Sequence, residues 1–145
     1  MMSAQHIKRF FAVSGTDRIA LVSLGLRVPV YRLALKALGY ERFHIRFITS
    51  CLSTKTPPSI DQAKHQGQLV NMAVSAIAGR DNCLLRSVML SRRLAKQGLA
   101  TKIIFGVGKE EAAFQAHSWV EVEGVVINDR EDIAQMHAVF ETPNK

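Results

Sequence analysis

Cysteine is scarce in this chain. The 145 residues contain Cys51 and Cys83, far apart and without a C-x-x-C pair. That excludes a disulfide framework and a cysteine-based zinc site, and it points to a reducing, cytoplasmic setting. A long uninterrupted apolar run is missing too. The most apolar stretch, IALVSLGLRVPVYRLALKAL at 19–38, carries Arg27, Pro29, Arg32 and Lys36, which disfavours a lone membrane-spanning helix. A peripheral membrane contact is compatible with it but not expected. Lys8 and Arg9 precede apolar residues, yet Asp17 and Arg18 interrupt them and no small-residue cleavage site follows, so the start does not read as a signal peptide. There is no glycine-rich phosphate loop, and His6, His44, His65 and His137 lack metal-ligand spacing. Neither cofactor nor metal is expected.

What is present is globular: 48% hydrophobic and 21% charged residues, in a length that buries a core without covalent staples. Acidic residues are rare in the first part. Residues 1–60 hold nine Lys or Arg against Asp17 and Glu41, a surplus of +7, whereas residues 61–145 hold ten basic and ten acidic residues. A basic N-terminal portion can attract acidic protein, anionic lipid or nucleic acid, or can be a solvated face.

Residues 1–15 read as a loose arm and 17–39 as helix, where Pro29 either opens a second segment or kinks a continuous one. Val30, Leu33, Ala34, Ala37 and Leu38 follow helical spacing, with Arg32 and Lys36 four apart on another face. That amphipathic pattern favours docking onto a partner. STKTPPS at 53–59 is the clearest linker. It separates a basic helical region, 1–58, from a core, 59–145. A helix is expected from Ser59 to Ala78, ending at Gly79, and another from Asn82 to Gln97, stopping at Gly98. Strands follow at 101–108, 115–122 and 125–129, then a short helix over 131–140. Helices followed by an antiparallel sheet make an α+β architecture.

Cys83 stands at the head of a helix, with Asp81 or Asn82 available as its cap. Free backbone N–H groups and the helix dipole there favour a thiolate, and the same groups can bind a developing oxyanion. An isolated cysteine in that place also fits a small buried hydrophobe. His117 in AHSWVEV and Asp129 in VVIND are its candidate partners. A two-residue loop at Glu123-Gly124 would put His117 and Asp129 on opposite sheet faces. A three-residue loop, Val122 to Gly124, pairs Glu121 with Val125, Trp119 with Ile127 and His117 with Asp129, so that the carboxylate can orient the imidazole. The expectation is the three-residue loop.

NCLLRSVMLSRRLAKQGLATKIIFGVG followed by FQAHSWVEVEGVVIND resembles the transglutaminase-like cysteine protease of lasso-peptide biosynthesis, the leader peptidase that processes the precursor. The likeness spans roughly residues 60–140. It implies a transglutaminase/papain-like core, with Cys83 as nucleophile, His117 as general base and Asp129 as orienting acid. It further implies a precursor leader peptide as substrate, a separate leader-recognition protein, and an ATP-dependent lasso cyclase downstream. The chain looks like the split form, without a recognition domain of its own; nucleic acid is not an expected partner.

Trp119 can wall the site, although a tryptophan there is more often simply core, and Arg86 can steer a peptide, although Arg86, Arg92, Arg93 and Lys96 also fit a solvated surface. Gln66, Gln68 and Asn82 are candidates for a second oxyanion donor beside the Cys83 N–H. Two other readings stay open: an acyltransferase that passes the acyl group to an amine, and a basic binding module in which Cys83 is inert.

Overall fold

A computed structural model describes residues 13–51, 53, 55–110 and 113–140. The expected loose arm falls mostly outside them. The first helix, α1 (Gly15–Phe43), is capped by Ser14, whose hydroxyl accepts the Asp17 N–H at 3.2 Å. It runs through Pro29 and breaks at Gly39, where φ is 74°. A π-helical turn (His44–Ile48) and a 3₁₀ turn (Thr49–Cys51) complete the N-terminal helical part.

After the proline-containing linker, α2 (Ile60–Ala78) begins with a capping box. The Ser59 hydroxyl accepts the Gln62 N–H at 3.2 Å, and the Gln62 side chain accepts the Ser59 N–H at 3.0 Å. Two orphan donors of the first turn are thereby satisfied. The next helix, α3 (Cys83–Ala95), starts at the cysteine itself.

Four strands form one antiparallel sheet in the order β3-β2-β1-β4: β1 (Lys102–Glu110), β2 (Ala113–Val122), β3 (Val125–Val126) and β4 (Ala138–Phe140). Two expectations fail here. The third strand is two residues long rather than five. The final helix shrinks to α4 (Ile133–Met136), because the chain then turns back to pair Ala138–Phe140 with β1. Alternating exposure cannot reveal β4, since all three of its residues are exposed.

The helices lie on one face of the sheet. Leu85, Val88, Leu90 and Leu94 of α3 pack with Val70 and Val74 of α2 and with Val120 of β2, and Leu21, Leu24, Val28 and Phe43 of α1 join the same core. Residues on both sides of position 58 therefore share one interior. Basic residues of α3 tie the layers together. Arg92 donates to the Phe47 carbonyl at 3.2 Å and lies over the Phe47 ring, and Arg93 donates to Gln66 at 2.7 Å. A smaller cluster, Ile104, Trp119, Val126 and Ile133, covers the opposite face.

Removing the Ser59 hydroxyl by Ser59→Ala should cost about 1 kcal/mol. Urea denaturation measures it, and the slope of free energy against urea should not change.

Candidate active site

The turn between β2 and β3 sets the geometry. Val122 pairs with Val125 and Glu121 with Val126, so the loop is the two residues Glu123 and Gly124, both at positive φ (51° and 81°). This is the primed turn that suits the twist of a hairpin, and it overturns the expected three-residue register. Strict alternation would then separate His117 from Asp129. They nevertheless meet, with His117 Nε2 2.6 Å from Asp129 Oδ2.

The reason is that the ladder ends early. The Ile127 N–H donates to the Val120 carbonyl at 2.9 Å, but the Val120 N–H goes to the side-chain Oδ1 of Asn128 at 2.8 Å. Asn128, buried in the fold, thus takes the place of a strand carbonyl. Its own carbonyl accepts from Asn71 Nδ2 of α2 at 2.7 Å. Close approach of this segment to α2 is possible because position 67 is glycine: a Cβ there would lie 3.0 Å from the Ile127 oxygen and 3.2 Å from the Asn128 Cβ. Pulled toward α2, the chain leaves the pleat and Asp129 is freed from its parity.

The same departure opens the edge of β2. Val120 directs its N–H and C=O toward β3, and Ser118, two residues earlier, directs its own the same way, where no strand continues. Cys83, at the first position of α3, fills that place. There His117 and the hydroxyl and backbone N–H of Ser118 act on the sulfur and favour its thiolate, while the Ser118 hydroxyl also lies 3.4 Å from that of Ser87 on α3. Asp129 occupies Nε2, which leaves Nδ1 as the ring nitrogen available to the thiol.

Burial is the largest influence on Cys83 and pushes the thiol up. The hydrogen bonds from His117 and Ser118, with the imidazolium charge, outweigh it and bring the pKa down to about 7. The bond to Asp129, aided by that to Cys83, raises His117 to about 9 against burial. Burial also pushes Asp129 up, but His117, the Arg130 N–H at 2.8 Å and the charges of His117 and Arg86 hold it below the usual carboxylate range. The arrangement can therefore hold a thiolate beside an imidazolium at neutral pH.

Asn82 occupies the N-cap position of α3, yet its side chain makes no cap bond. Its amide donates backward to the Ala78 carbonyl at 2.6 Å, closing the end of α2. The first helical bond of α3 comes from the Arg86 N–H, so the N–H groups of Cys83 to Leu85 precede the ladder and are not claimed by the Asn82 side chain. Among the proposed oxyanion donors, Asn82 is thus engaged elsewhere. Gln66 is locked to Gln97 and Arg93, near the far end of α3, and Gln68 is exposed on α2.

Trp119 does not wall the site. It is fully buried beneath the imidazole, with ring centroids 6.2 Å apart, and donates to Glu121 at 2.8 Å. It is a floor that limits ring tilt. Arg86 is likewise turned inward, donating to Ser75 at 3.2 Å and to the Arg80 carbonyl. The sequence reading missed Ser118, Asn128, Asn71 and His137. The last lies 5.4 Å from His117, ring to ring, beside Trp119. Only Ser118, adjacent to His117 with a small hydroxyl, carried a local signal.

Alkylation of Cys83 by iodoacetamide, followed by peptide mass mapping, should rise through pH 7 as the thiolate forms. His117→Ala removes stabilisers of the anion, so its midpoint should move upward past that value. Asn128→Ala should cost about 1–3 kcal/mol, because the buried Val120 N–H loses its acceptor. It should also raise the alkylation midpoint, because Asp129 is no longer held to His117.

Comparison with known proteins gives one match. No curated protein and no solved structure matches the chain, whereas the family model described as transglutaminase-like superfamily matches residues 26–141. That span includes all but the start of α1, every strand, and the Cys83, His117 and Asp129 positions. Together with a cysteine-headed helix on an antiparallel α+β core, it establishes that the chain belongs to the transglutaminase-like superfamily.

Proposed function

We propose that the protein is a cysteine peptidase that removes the leader from a ribosomally made lasso-peptide precursor, before a separate ATP-dependent cyclase closes the macrolactam. The superfamily supports a cysteine-based acyl transfer. The observation that carries the reading is the 2.6 Å bond from His117 Nε2 to Asp129, with Cys83 and His117 close enough to shift each other's titration. The lasso substrate rests on the motif resemblance over NCLLR and AHSWVEV. We assign the chain a cytoplasmic setting and a leader-recognition protein that delivers the precursor.

In this reading the Cys83 thiolate attacks the carbonyl at the leader–core junction and forms a tetrahedral oxyanion beside the Cys83 N–H. The imidazolium of His117 gives its proton to the departing core amine, and the leader remains as a thioester. Neutral His117 then takes a proton from water, whose oxygen attacks the thioester. Collapse expels the Cys83 thiolate beside the imidazolium that now holds that proton, which restores the ion pair, and the released leader acid gives up its remaining proton to water as the carboxylate. Asp129 keeps the ring in the tautomer with Nε2–H and stabilises its charged form.

The test is incubation with a lasso precursor and a recognition protein, with and without a primary amine, read by mass spectrometry. The expected result is a leader with a free carboxylate and a core with a free α-amine. Cys83→Ala should lower the rate about 10³-fold or more, and Asp129→Asn about 10²-fold or more, with binding retained. A leader carrying the added amine would instead make the protein an acyltransferase, and full activity of Cys83→Ala would leave it a binding module. Across pH, kcat/KM should rise near 7 with the thiolate and fall near 9 with loss of the imidazolium.

A further inference from the structure

Helix α1 is apolar on two faces. One contributes Leu21, Leu24 and Val28 to the core, each under a tenth exposed. The other carries Ile19, Val22, Leu26, Val30 and Leu33, which are 52–74% exposed. At about 100° per residue these five fall within an arc of about 80°, and they extend for about 21 Å along the helix. Five large aliphatic side chains in one solvated row exceed the scattered exposure that ordinary surfaces show.

The charges beside the row are of one sign. Between Arg18 and Leu38 the sequence has Arg18, Arg27, Arg32 and Lys36 and no carboxylate. Arg27 lies on one flank, and Arg32 and Lys36 on the other, all exposed. Arg18, on the second flank, is bonded to the Val13 carbonyl at 3.1 Å. The nearby acid Asp17 faces inward, 3.0 Å from His65 of α2, and Glu41 lies beyond the break at Gly39. No helix among the described residues is long and apolar enough to cross a membrane.

We propose that the outward face of α1 docks on an anionic lipid bilayer, with the helix axis in the plane of the interface. The row's cations stand on both flanks. A bilayer containing acidic lipids offers negative charge on both sides at once, with hydrocarbon between, whereas a protein partner would need acidic rows spaced to match. Arg and Lys stems reach from a buried row to the headgroups. Because the inner face already holds α1 in the fold, insertion does not have to support helix formation. The row and its cations are independent of the catalytic reading.

The test is co-sedimentation of the full chain with vesicles of phosphatidylcholine alone or mixed with phosphatidylglycerol. Binding should require phosphatidylglycerol and weaken as salt rises. Each interfacial cation contributes about a fivefold factor, so Arg27→Gln, Arg32→Gln and Lys36→Gln together should weaken binding about a hundredfold. Leu26→Glu with Leu33→Glu should abolish it while circular dichroism and Cys83 alkylation stay unchanged. Any of three results overturns the proposal: no sedimentation with either vesicle, equal binding by the Leu26/Leu33 variant, or a concentration-dependent dimer in solution that this variant disperses. The last would give the face to a second copy of the chain.

Discussion

Between Val120 and His117, β2 loses its partner on one side, because β3 ends at Val126 and Asn128 supplies the last ladder bond from its side chain. Everything at the site follows from that vacancy. Cys83 heads α3 beside it, where the Ser118 N–H that a strand carbonyl would have taken acts instead on the thiol. Asp129 reaches His117 because the segment carrying it has been drawn to α2 through Asn71 and the close approach that Gly67 allows. A longer β3 would close the edge against the thiol and restore the parity that separates acid from base. The two-residue loop is thus compatible with the Cys-His-Asp contact only in a hairpin this short.

The electrostatics depend on the same placement. A thiol half-withdrawn from water is pushed toward neutrality. It is pulled back by donors aimed at one atom: a ring nitrogen, a hydroxyl and a strand amide. The imidazolium in turn is held by Asp129, which has the Arg130 amide on its second oxygen. Each charge is stabilised by its neighbour, so the Cys83 and His117 titrations belong to the pair. Trp119, with its ring centroid 6.2 Å from that of His117, adds no charge.

Most of the fold was legible because its signals are local. The Ser59 box, Gly79 and Gly98 punctuate the helices where periodicity puts them, and β-branched runs mark β1 and β2. Cys83, His117 and Asp129 were legible as chemical types at suggestive places. How the last two meet was not, because parity assumes a regular ladder and the ladder's end is determined by Asn71, nearly sixty residues upstream of Asn128. β4 and His137 were missed for a similar reason: an exposed three-residue strand has no alternation to read, and its pairing with β1 is purely tertiary. Pro29 is ambiguous by itself. It leaves both a new segment and a continuous helix open, and the helix continues through it and breaks at Gly39.

The site geometry also bears on which nucleophile resolves a thioester on Cys83. Once the leaving amine has taken its proton, the neutral ring is a strong base, since Asp129 favours its protonated form. Water meets that base as a neutral molecule. A lysine-like amine is almost wholly protonated at neutral pH, so it would bring a second cation to a ring about to become one, and it gains only if water is kept out and its own charge is shed. Cys83 is partly exposed, and the side chains of His117 and Asp129 retain 26% and 21% of their accessibility. Trp119, the aromatic that could shield the thioester, lies under the ring instead of over it. In the proposed peptidase, hydrolysis needs no further cover, whereas transfer to an amine would call for one supplied by the acceptor or by a partner protein.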